Sequence, residues 1–266
     1  MLRLLKIEFR KLKSSNAFYI FSFFYLLALA AFAWIIGTFN VDFDKINVSL
    51  ADVGIFDFPH IWQNLTYITS FFKIILAIIF ITFITNEYQY RTLRQNLIDG
   101  LSKKEFLGSK VLMMLSFALA STIFVFMLIM TIGLWKSAYN ELDIIFMKSS
   151  FIFAYFLKHV AFFSFVMMIA FIVKKTGFSL ASLFVWAAIF EPLLKFKLLP
   201  DAWDRLLPLE AMGNLIHEPL TRITNADKLL ENTTYDFVDP IDVGIVIGYT
   251  LLFIYLSYII LKKRDL

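Results

Sequence analysis

Polar and ionisable residues interrupt the long apolar stretches of this chain at only a few positions. Lys73 stands inside one such stretch, and Gln63, Thr66 and Ser70 precede it at three- and four-residue steps, so the four share one helical face. A lysine at the centre of a membrane helix costs about 2.5–3.5 kcal/mol to insert, so it usually faces protein or water. This face is expected to point toward a cavity, a partner protomer or external helices. It is a candidate lining for the outer part of a translocation path. In the alternative reading, Lys73 snorkels to the lipid headgroups.

The remaining chemistry-bearing residues form no catalytic or metal-binding pattern. Lys158 and His159 fall in the outer half of another apolar stretch, where snorkelling is easy. The chain has three histidines without metal-ligand spacing and no cysteine, so we expect no metal centre. The apolar stretches contain no nucleophile–base pair and no paired carboxylates, so we expect no enzyme active site.

An ATP site is not predicted either. The nearest approach to a phosphate-binding loop is Gly100 followed by Gly108-Ser109-Lys110. Its spacing is wrong, and Val111 stands where a serine or threonine would hold magnesium. Any use of ATP would therefore require another polypeptide.

Composition places the chain in the membrane. Of its 266 residues 60% are hydrophobic, and the mean hydropathy is +0.75, whereas soluble domains are about 45–50% apolar. The net charge of +4 could indicate nucleic acid, but the basic residues lie beside apolar stretches, where membrane topology explains them. We therefore predict an all-α polytopic membrane protein that binds no nucleic acid.

Six stretches are predicted to cross a hydrocarbon core of about 30 Å, of which the fifth is short for a full crossing unless it continues past Glu191-Pro192. The predicted spans are residues 17–39, 61–85, 107–134, 149–173, 178–194 and 241–261. Basic residues flank the span ends that would lie on one side of the membrane. An excess of Lys and Arg marks the cytoplasmic side, so both termini are predicted to be cytoplasmic. Residues 40–60 form an acidic external loop. Residues 195–240 are too long for a simple turn and predict external or re-entrant helices, with Pro208 at a helix start.

Residues 1–16 are basic and amphipathic, which predicts a helix lying in the cytoplasmic membrane interface. Two alternatives remain for this segment. It could be a plain positive-inside anchor, or a signal peptide, because Ala28-Leu29-Ala30 resembles a cleavage site.

The most informative stretch is the polar loop 86–106, between the second and third spans. Tyr90, Leu93, Leu97 and Leu101 recur at helical spacing, which predicts a short helix continuous with the flanking spans. Asp99-Gly100 should end this helix, and the capping-box pair of Ser102 and Glu105 should start the next. The shape suits a lever moved by a soluble partner; an ordinary solvated loop is the alternative.

The loop sequence resembles the cytoplasmic loop of ABC-2 type permeases, which have the so-called type V fold. The resemblance is carried by Asn-Glu-Tyr leaving a span, followed by Arg-Thr-Leu-Arg-Gln-Asn-Leu, Ile-Asp-Gly-Leu-Ser and Lys-Glu-Phe. In that family the loop is the coupling helix, which seats in a cleft of the ATPase subunit. The resemblance assigns ATPase coupling to ten positions: Glu87, Tyr88, Arg91, Thr92, Leu93, Arg94, Asn96, Leu97, Asp99 and Gly100.

The resemblance implies the membrane subunit of an ATP-driven exporter in a bacterial cytoplasmic membrane. A separate ABC ATPase would bind ATP and magnesium, and this chain would carry no cofactor. It would dimerise with an identical or paralogous protomer, and its external helices would cap the substrate path. Other possibilities are an ion-coupled secondary transporter, an intramembrane lipid-modifying enzyme and a membrane anchor without transport activity.

Overall fold

The computed structural model describes residues 2–13, 15–38, 40–43, 46–49, 55–139, 141–198, 200–219 and 237–263. In the first half the helices are α1 (Leu2–Lys13), α2 (Asn16–Thr38), α3 (Ile61–Thr69), α4 (Lys73–Gln89), α5 (Thr92–Ile98) and α6 (Lys103–Lys136). In the second half they are α7 (Leu142–Phe146), α8 (Ser150–Val173), α9 (Thr176–Val185), α10 (Glu191–Leu193), α11 (Pro208–Asn214) and α12 (Pro240–Lys263). The predicted all-α polytopic class is confirmed. One small antiparallel hairpin, β1 (Asn40–Phe43) with β2 (Ile46–Ser49), lies in the predicted external loop.

Five helical segments of the described chain are long and apolar enough to cross a membrane. They are Ile61–Gln89, Lys103–Lys136, Leu142–Val173, Thr176–Phe196 and Pro240–Lys263. A sixth is reached by counting α2 together with α1, whose axis is bent from that of α2 by 81°. The bend suits an α1 that lies along the membrane surface while α2 enters the membrane.

Several helices extend beyond the predicted spans. The second span remains helical to Gln89, and α6 begins at Lys103 because the side chain of Ser102 accepts the Glu105 N–H in a complete capping box. The fifth predicted span continues as helix from α9 through Glu191 to Leu198, partly as π-helix over Trp186–Phe190 and Leu194–Leu198. Polar residues at these ends do not stop a helix whose backbone hydrogen bonds are still satisfied.

Helix α8 is the centre of the bundle. It packs against α3, α4, α6, α9, α11 and α12, and most of its side chains are buried. Its sequence is apolar on every face, which is typical of a helix surrounded by other helices. By contrast, α2 exposes large apolar side chains such as Tyr19, Phe23 and Leu27, so one of its faces meets lipid or another chain.

The segments predicted to be cytoplasmic meet at one end of the bundle. Lys11 of α1 contacts Glu87 of α4, and the Lys103 ammonium donates a hydrogen bond to the Lys262 carbonyl oxygen at the end of α12 (3.3 Å). The hydroxyls of Thr85 and Thr176 are 2.6 Å apart and bring the turn between α8 and α9 to the same place. We call this region the basic end.

The opposite end collects the predicted external segments. The backbone N–H of Phe58 donates to the Ser137 hydroxyl (3.1 Å), joining the segment before α3 to the end of α6. The Phe58 ring also packs onto Gly133, where an added Cβ would lie 2.3 Å from the ring's Cζ atom. Gly133 is therefore required by a close approach between two elements.

Candidate functional site

The loop between α4 and α6 contains a short helix with a break on each side. Helix α4 ends at Gln89, and Arg91 adopts the left-handed conformation, with φ of 56°, immediately before α5. An arginine in this region is sterically unfavourable, unlike a glycine. The predicted continuous helix is therefore wrong at Arg91, and α5 is a separate element whose direction is set by this residue.

The other end of α5 closes as predicted at Gly100, which has a φ of +94°. The Gly100 N–H donates to the Leu97 carbonyl, and the Leu101 N–H donates to the Asn96 carbonyl. This pair of hydrogen bonds is a Schellman motif, which satisfies the last carbonyls of a helix and favours glycine at this position. The chain then passes directly into the capping box of α6.

Two faces of the loop have different roles. Leu93 is buried, and Leu97 and Leu101 are half-buried against the core, as the predicted stripe required. Tyr90 is 70% exposed instead, because the break at Arg91 takes it out of register with α5. The exposed positions from the predicted coupling set are Arg91, Thr92, Arg94, Asp99 and Gly100.

The other members of the predicted set support the loop from within. Asn96 is half-buried, and the half-buried Tyr88 ring packs edge-on to Phe171 of α8 with the Lys174 ammonium 5.2 Å from its centroid. Glu87 is buried, so it lies beneath the loop surface.

Beneath the loop lies a buried ion cluster that joins α1, α4 and α6. The ammonium of Lys110 is 2.7 Å from a carboxylate oxygen of Glu87 and 2.9 Å from one of Glu8. Lys11 contacts the same Glu87 oxygen at 2.9 Å, and the Ser109 hydroxyl donates to Glu8 at 3.0 Å. Two carboxylates and two ammoniums balance in charge, so the cluster is neutral. We refer to Glu8, Lys11, Glu87 and Lys110 as the ion cluster.

The surroundings of Lys110 are apolar as well as ionic. Its side chain has no exposed surface, and its ammonium lies 4.3 Å from the centroid of the Phe83 ring. Removing one member of a buried ion pair leaves an uncompensated charge, at a cost of about 3–5 kcal/mol. The cluster therefore fixes the relative positions of the three helices.

Sequence reasoning missed this cluster. The sequence presents Lys110 only as part of a failed phosphate-binding loop and gives no reason to pair it with Glu8. Glu8 and Lys110 are 102 positions apart, so no local periodicity connects them. The available signal was the charge of Lys110 in an apolar helix, which requires a buried counterion.

A cleft of about 380 Å³ opens beside the cluster, between α1, α2, α4 and the start of α5. Its wall includes Lys11, Phe18, Glu87, Tyr90 and Thr92. The cleft and the exposed face of α5 together give the basic end a concave surface next to a basic ridge.

Comparison with known families identifies the type of protein. A family described as ABC-2 family transporter protein matches residues 4–190, which is 187 of the 266 residues. The matched region begins in α1 and includes the loop and all members of the ion cluster. The chain belongs to the ABC-2 transporter family. Among curated proteins, none matched. Its spans thus form the membrane domain of the permease component of an ABC transporter.

In this ABC-2 permease, the predicted pathway residues lie within the protomer. Gln63, Thr66 and Ser70 are buried, and Lys73 is half-buried. The Gln63 amide donates to the His217 carbonyl (3.1 Å), and the hydroxyls of Thr66 and Ser70 donate to backbone carbonyls of their own helix. Through Gln63 this face contacts the segment predicted to be external, which is one of the predicted possibilities. The Lys73 ammonium lies 4.5 Å from the centroid of the Phe162 ring.

Lys158 and His159 of the ABC-2 permease are more enclosed than expected. Their side chains are 4% and 0% exposed, so the snorkelling expectation is wrong for both. The Lys158 ammonium lies 5.9 Å from the centroid of the Tyr67 ring, and Nδ1 of His159 is 2.9 Å from the Tyr155 carbonyl. Their burial follows from the central place of α8, whose faces all meet other helices.

The segment predicted to be external is held to the bundle by hydrogen bonds and ionic contacts. Helix α11 begins at Pro208 as predicted, and the Glu210 N–H at its first turn donates to a Glu191 oxygen (2.8 Å). The Arg205 guanidinium binds Asp239 and Asp242 at the start of α12. Hydrogen bonds to Asp242 and Asp239 raise the pKa of Arg205. The pKa of Asp239 is lowered mainly by a hydrogen bond from the Ile241 backbone N–H and further by the hydrogen bond from Arg205.

His217 closes this segment over the polar face of α3. Burial lowers the pKa of His217, so the neutral ring is favoured in the folded state. Asp242 and Asp239 act in the opposite direction, whereas Arg205 and Lys158 reinforce the effect. Within the predicted segment 195–240 the structure has a short 3-10 helix, Asp201–Leu206, and α11; residues 220–236 of the segment lie outside the described residues.

Proposed function

We propose that this chain is the permease subunit of an ATP-driven exporter and that α5 is the element that contacts its ATPase. The observation that supports the proposal is the structure of the loop between α4 and α6. Helix α5 carries the exposed Arg94 and lies between two left-handed residues, the exposed Arg91 and Gly100, above the ion cluster. A displacement of α5 would be transmitted to α4 and α6, because the ion cluster holds these two helices rigidly together.

The partners follow from this role. A separate ABC ATPase would bind ATP and magnesium, and this chain would supply neither a cofactor site nor catalysis. A second permease protomer, identical or paralogous, would complete the path between the two membrane domains. The exposed apolar face of α2 offers a surface for that protomer.

The proposed orientation places the basic end in the cytoplasm of a bacterial cell. Exposed cations at this end include Arg91, Arg94, Lys104, Lys175 and Lys263, and an excess of Lys and Arg marks cytoplasmic segments. Substrate would then leave the cytoplasm or the inner leaflet and exit under the external segment. Gln63, Thr66, Ser70 and Lys73 would lie along the outer part of this path, where the external segment closes over them.

The proposed cycle is a rigid-body switch. ATPase closure would displace α5, and the ion cluster would transmit the movement to α1, α4 and α6 as one unit. Opening the external end would require the contacts of His217 and Arg205 to separate. The family membership favours this cycle over an ion-coupled carrier or a lipid-modifying enzyme.

Charge reversal on α5 tests the proposal. The double variant Arg91→Glu/Arg94→Glu should no longer bind the ATPase, or should no longer stimulate the ATPase to hydrolyse ATP. Both would be measured on the complex in proteoliposomes. The single variant Lys175→Glu changes an exposed cation at the same end but outside the loop, and it should behave like the unmodified chain. Unchanged ATPase binding and stimulation in the double variant would contradict the proposal.

A further inference from the structure

A groove of about 540 Å³ runs between α6 and α12 on the outside of the bundle. It begins beside Lys104 and Tyr258 and extends along both helices to Leu112 and Leu251. Eight residues separate Lys104 from Leu112, or about 12 Å at 1.5 Å per residue. The groove is thus nearly as long as one leaflet of the hydrocarbon core is thick, about 15 Å.

The groove is apolar along its length and cationic at its mouth. Gly108 has no side chain, which leaves space between the helices, and leucine, isoleucine and valine side chains form the walls. At the mouth, Lys103 and Lys104 of α6 lie near Lys262 and Lys263 of α12, since the Lys103 ammonium binds the Lys262 carbonyl. The neighbouring Glu105 carboxylate is already engaged by Ser102.

Lys104 is the cation that faces the groove. It is exposed, and within the described part of the chain no carboxylate pairs with its ammonium. Basic pockets between membrane helices are suited to anionic lipid headgroups. Tyr258 and Tyr255 also line the groove, and each provides an apolar ring with a polar tip, as tyrosines do at membrane interfaces.

We propose that this groove binds an anionic phospholipid from the leaflet at the basic end. The phosphate would lie at Lys104, and one acyl chain would lie along the wall between Gly108 and Leu112. Since acyl chains are as apolar as the surrounding lipid, the selectivity arises from the cations at the mouth.

Two other occupants fit the groove less well. In a two-fold dimer the same surface patch of each protomer meets its copy, so the lysines at the mouth would be brought towards one another. A soluble protein could contact Lys104 but could not follow the groove into the hydrocarbon core, where unsatisfied backbone groups are excluded. A single lipid satisfies both the apolar wall and the cationic mouth.

Lipid retention on the purified chain tests the site without any ATPase or transport assay, so the result is independent of the proposed function. Native mass spectrometry would compare phosphatidylglycerol with phosphatidylcholine, added at equal concentration to the detergent-purified chain. We expect phosphatidylglycerol to be retained preferentially. Lys104→Gln should reduce that preference about fivefold, the effect of about 1 kcal/mol for one lysine at a membrane surface.

Two controls separate the groove from general charge. Lys136→Gln removes an exposed cation from the other end of α6 and should leave the preference unchanged. Gly108→Phe should fill the groove and reduce retention of both lipids. Thermal unfolding of each variant in the same detergent checks that it remains folded, and Lys104→Gln alone is sufficient for the test if Gly108→Phe does not fold.

Equal retention of the two lipids, or an unchanged preference in Lys104→Gln, would overturn the proposal. The chain has no cysteine, so Tyr255→Cys introduces a single thiol beside the groove. Disulfide formation between two copies through this position in membranes would also overturn it, in favour of a second protomer as the occupant.

Discussion

Lys110 of α6 and Glu87 of α4 form an ion pair of 2.7 Å in which neither side chain has appreciable exposure. Glu87 is two residues before the end of α4, and Lys110 lies two turns into α6. The pair therefore fastens the two helices that enter and leave the α5 loop. Glu8 extends the same contact to α1.

Loss of the central cation should destabilise the fold strongly. In Lys110→Met, two buried carboxylates lose their shared partner, and we expect about 3–5 kcal/mol of destabilisation. The midpoint of thermal unfolding in detergent would measure it. Lys136→Met, at an exposed position of the same helix, should change stability by no more than about 0.5 kcal/mol.

A triple variant distinguishes charge balance from packing. Glu8→Gln/Glu87→Gln/Lys110→Met leaves Lys11, whose side chain is 31% exposed, as the only charge of the cluster. It should regain most of the lost stability, because no unpaired charge remains fully buried. A triple variant as unstable as Lys110→Met would show that the ionic account of the cluster is wrong.

The left-handed backbone of Arg91 predicts that substitutions at this position change protein stability and ATPase stimulation independently. Both Arg91→Gly and Arg91→Ala remove the guanidinium, but only glycine relieves the left-handed strain. The glycine variant should therefore be about 1 kcal/mol more stable than the alanine variant. Both should stimulate the ATPase less than the unmodified chain does. Equal unfolding midpoints, or full stimulation in either variant, would count against this role of Arg91.

The contact between Gly133 and Phe58 predicts a site that does not tolerate even a methyl group. Gly133→Ala would place Cβ 2.3 Å from the ring's Cζ atom, and the overpacking should cost about 1–3 kcal/mol. Gly248→Ala in α12 is the matched change, because its Cβ would meet no atom within 4 Å. It should be neutral or slightly stabilising in monomeric detergent preparations. Equal unfolding midpoints for the two variants would contradict the close packing.

His217 predicts the direction of a pH effect at the opposite end. Its folded pKa lies below the unfolded value of about 6.5, so between these values the unfolded chain binds more protons. The contribution of neutral His217 to the free energy of unfolding is thus fully present above pH 6.5 and decreases as the pH falls below 6.5. Between pH 7.5 and 5.5 the unfolding midpoint should fall more in the unmodified chain than in His217→Gln. A smaller fall in the unmodified chain would contradict the sign.

Local signals explain what the sequence could predict. Gly100, Ser102 and Glu105 act through backbone geometry and hydrogen bonds within a few residues, so the end of α5 and the start of α6 were predictable. The continuous apolar stretches likewise predict membrane helices. In both cases the deciding interactions lie inside the segment itself.

Tertiary contacts explain what it could not predict. Arginine has no preference for the left-handed region, so the break at Arg91 has no sequence signal, and the apolar spacing continues through it to Tyr90. The ion cluster depends on Glu8 and Lys110 meeting across 102 positions. Lys158 is buried because α8 is surrounded by helices, an arrangement that the composition of α8 permits but does not specify.

Crosslinking from α5 tests the central claim most directly. Because the chain has no cysteine, Gln95→Cys and Glu141→Cys each carry a single thiol, at exposed positions of α5 and of the opposite end. A short thiol-to-amine crosslinker would be applied to membranes of the source cell, and the products identified by mass spectrometry. We predict that Gln95→Cys crosslinks to an ATPase with a phosphate-binding loop and that Glu141→Cys does not. An ATPase crosslink from Glu141→Cys only, or none from Gln95→Cys, would contradict the account.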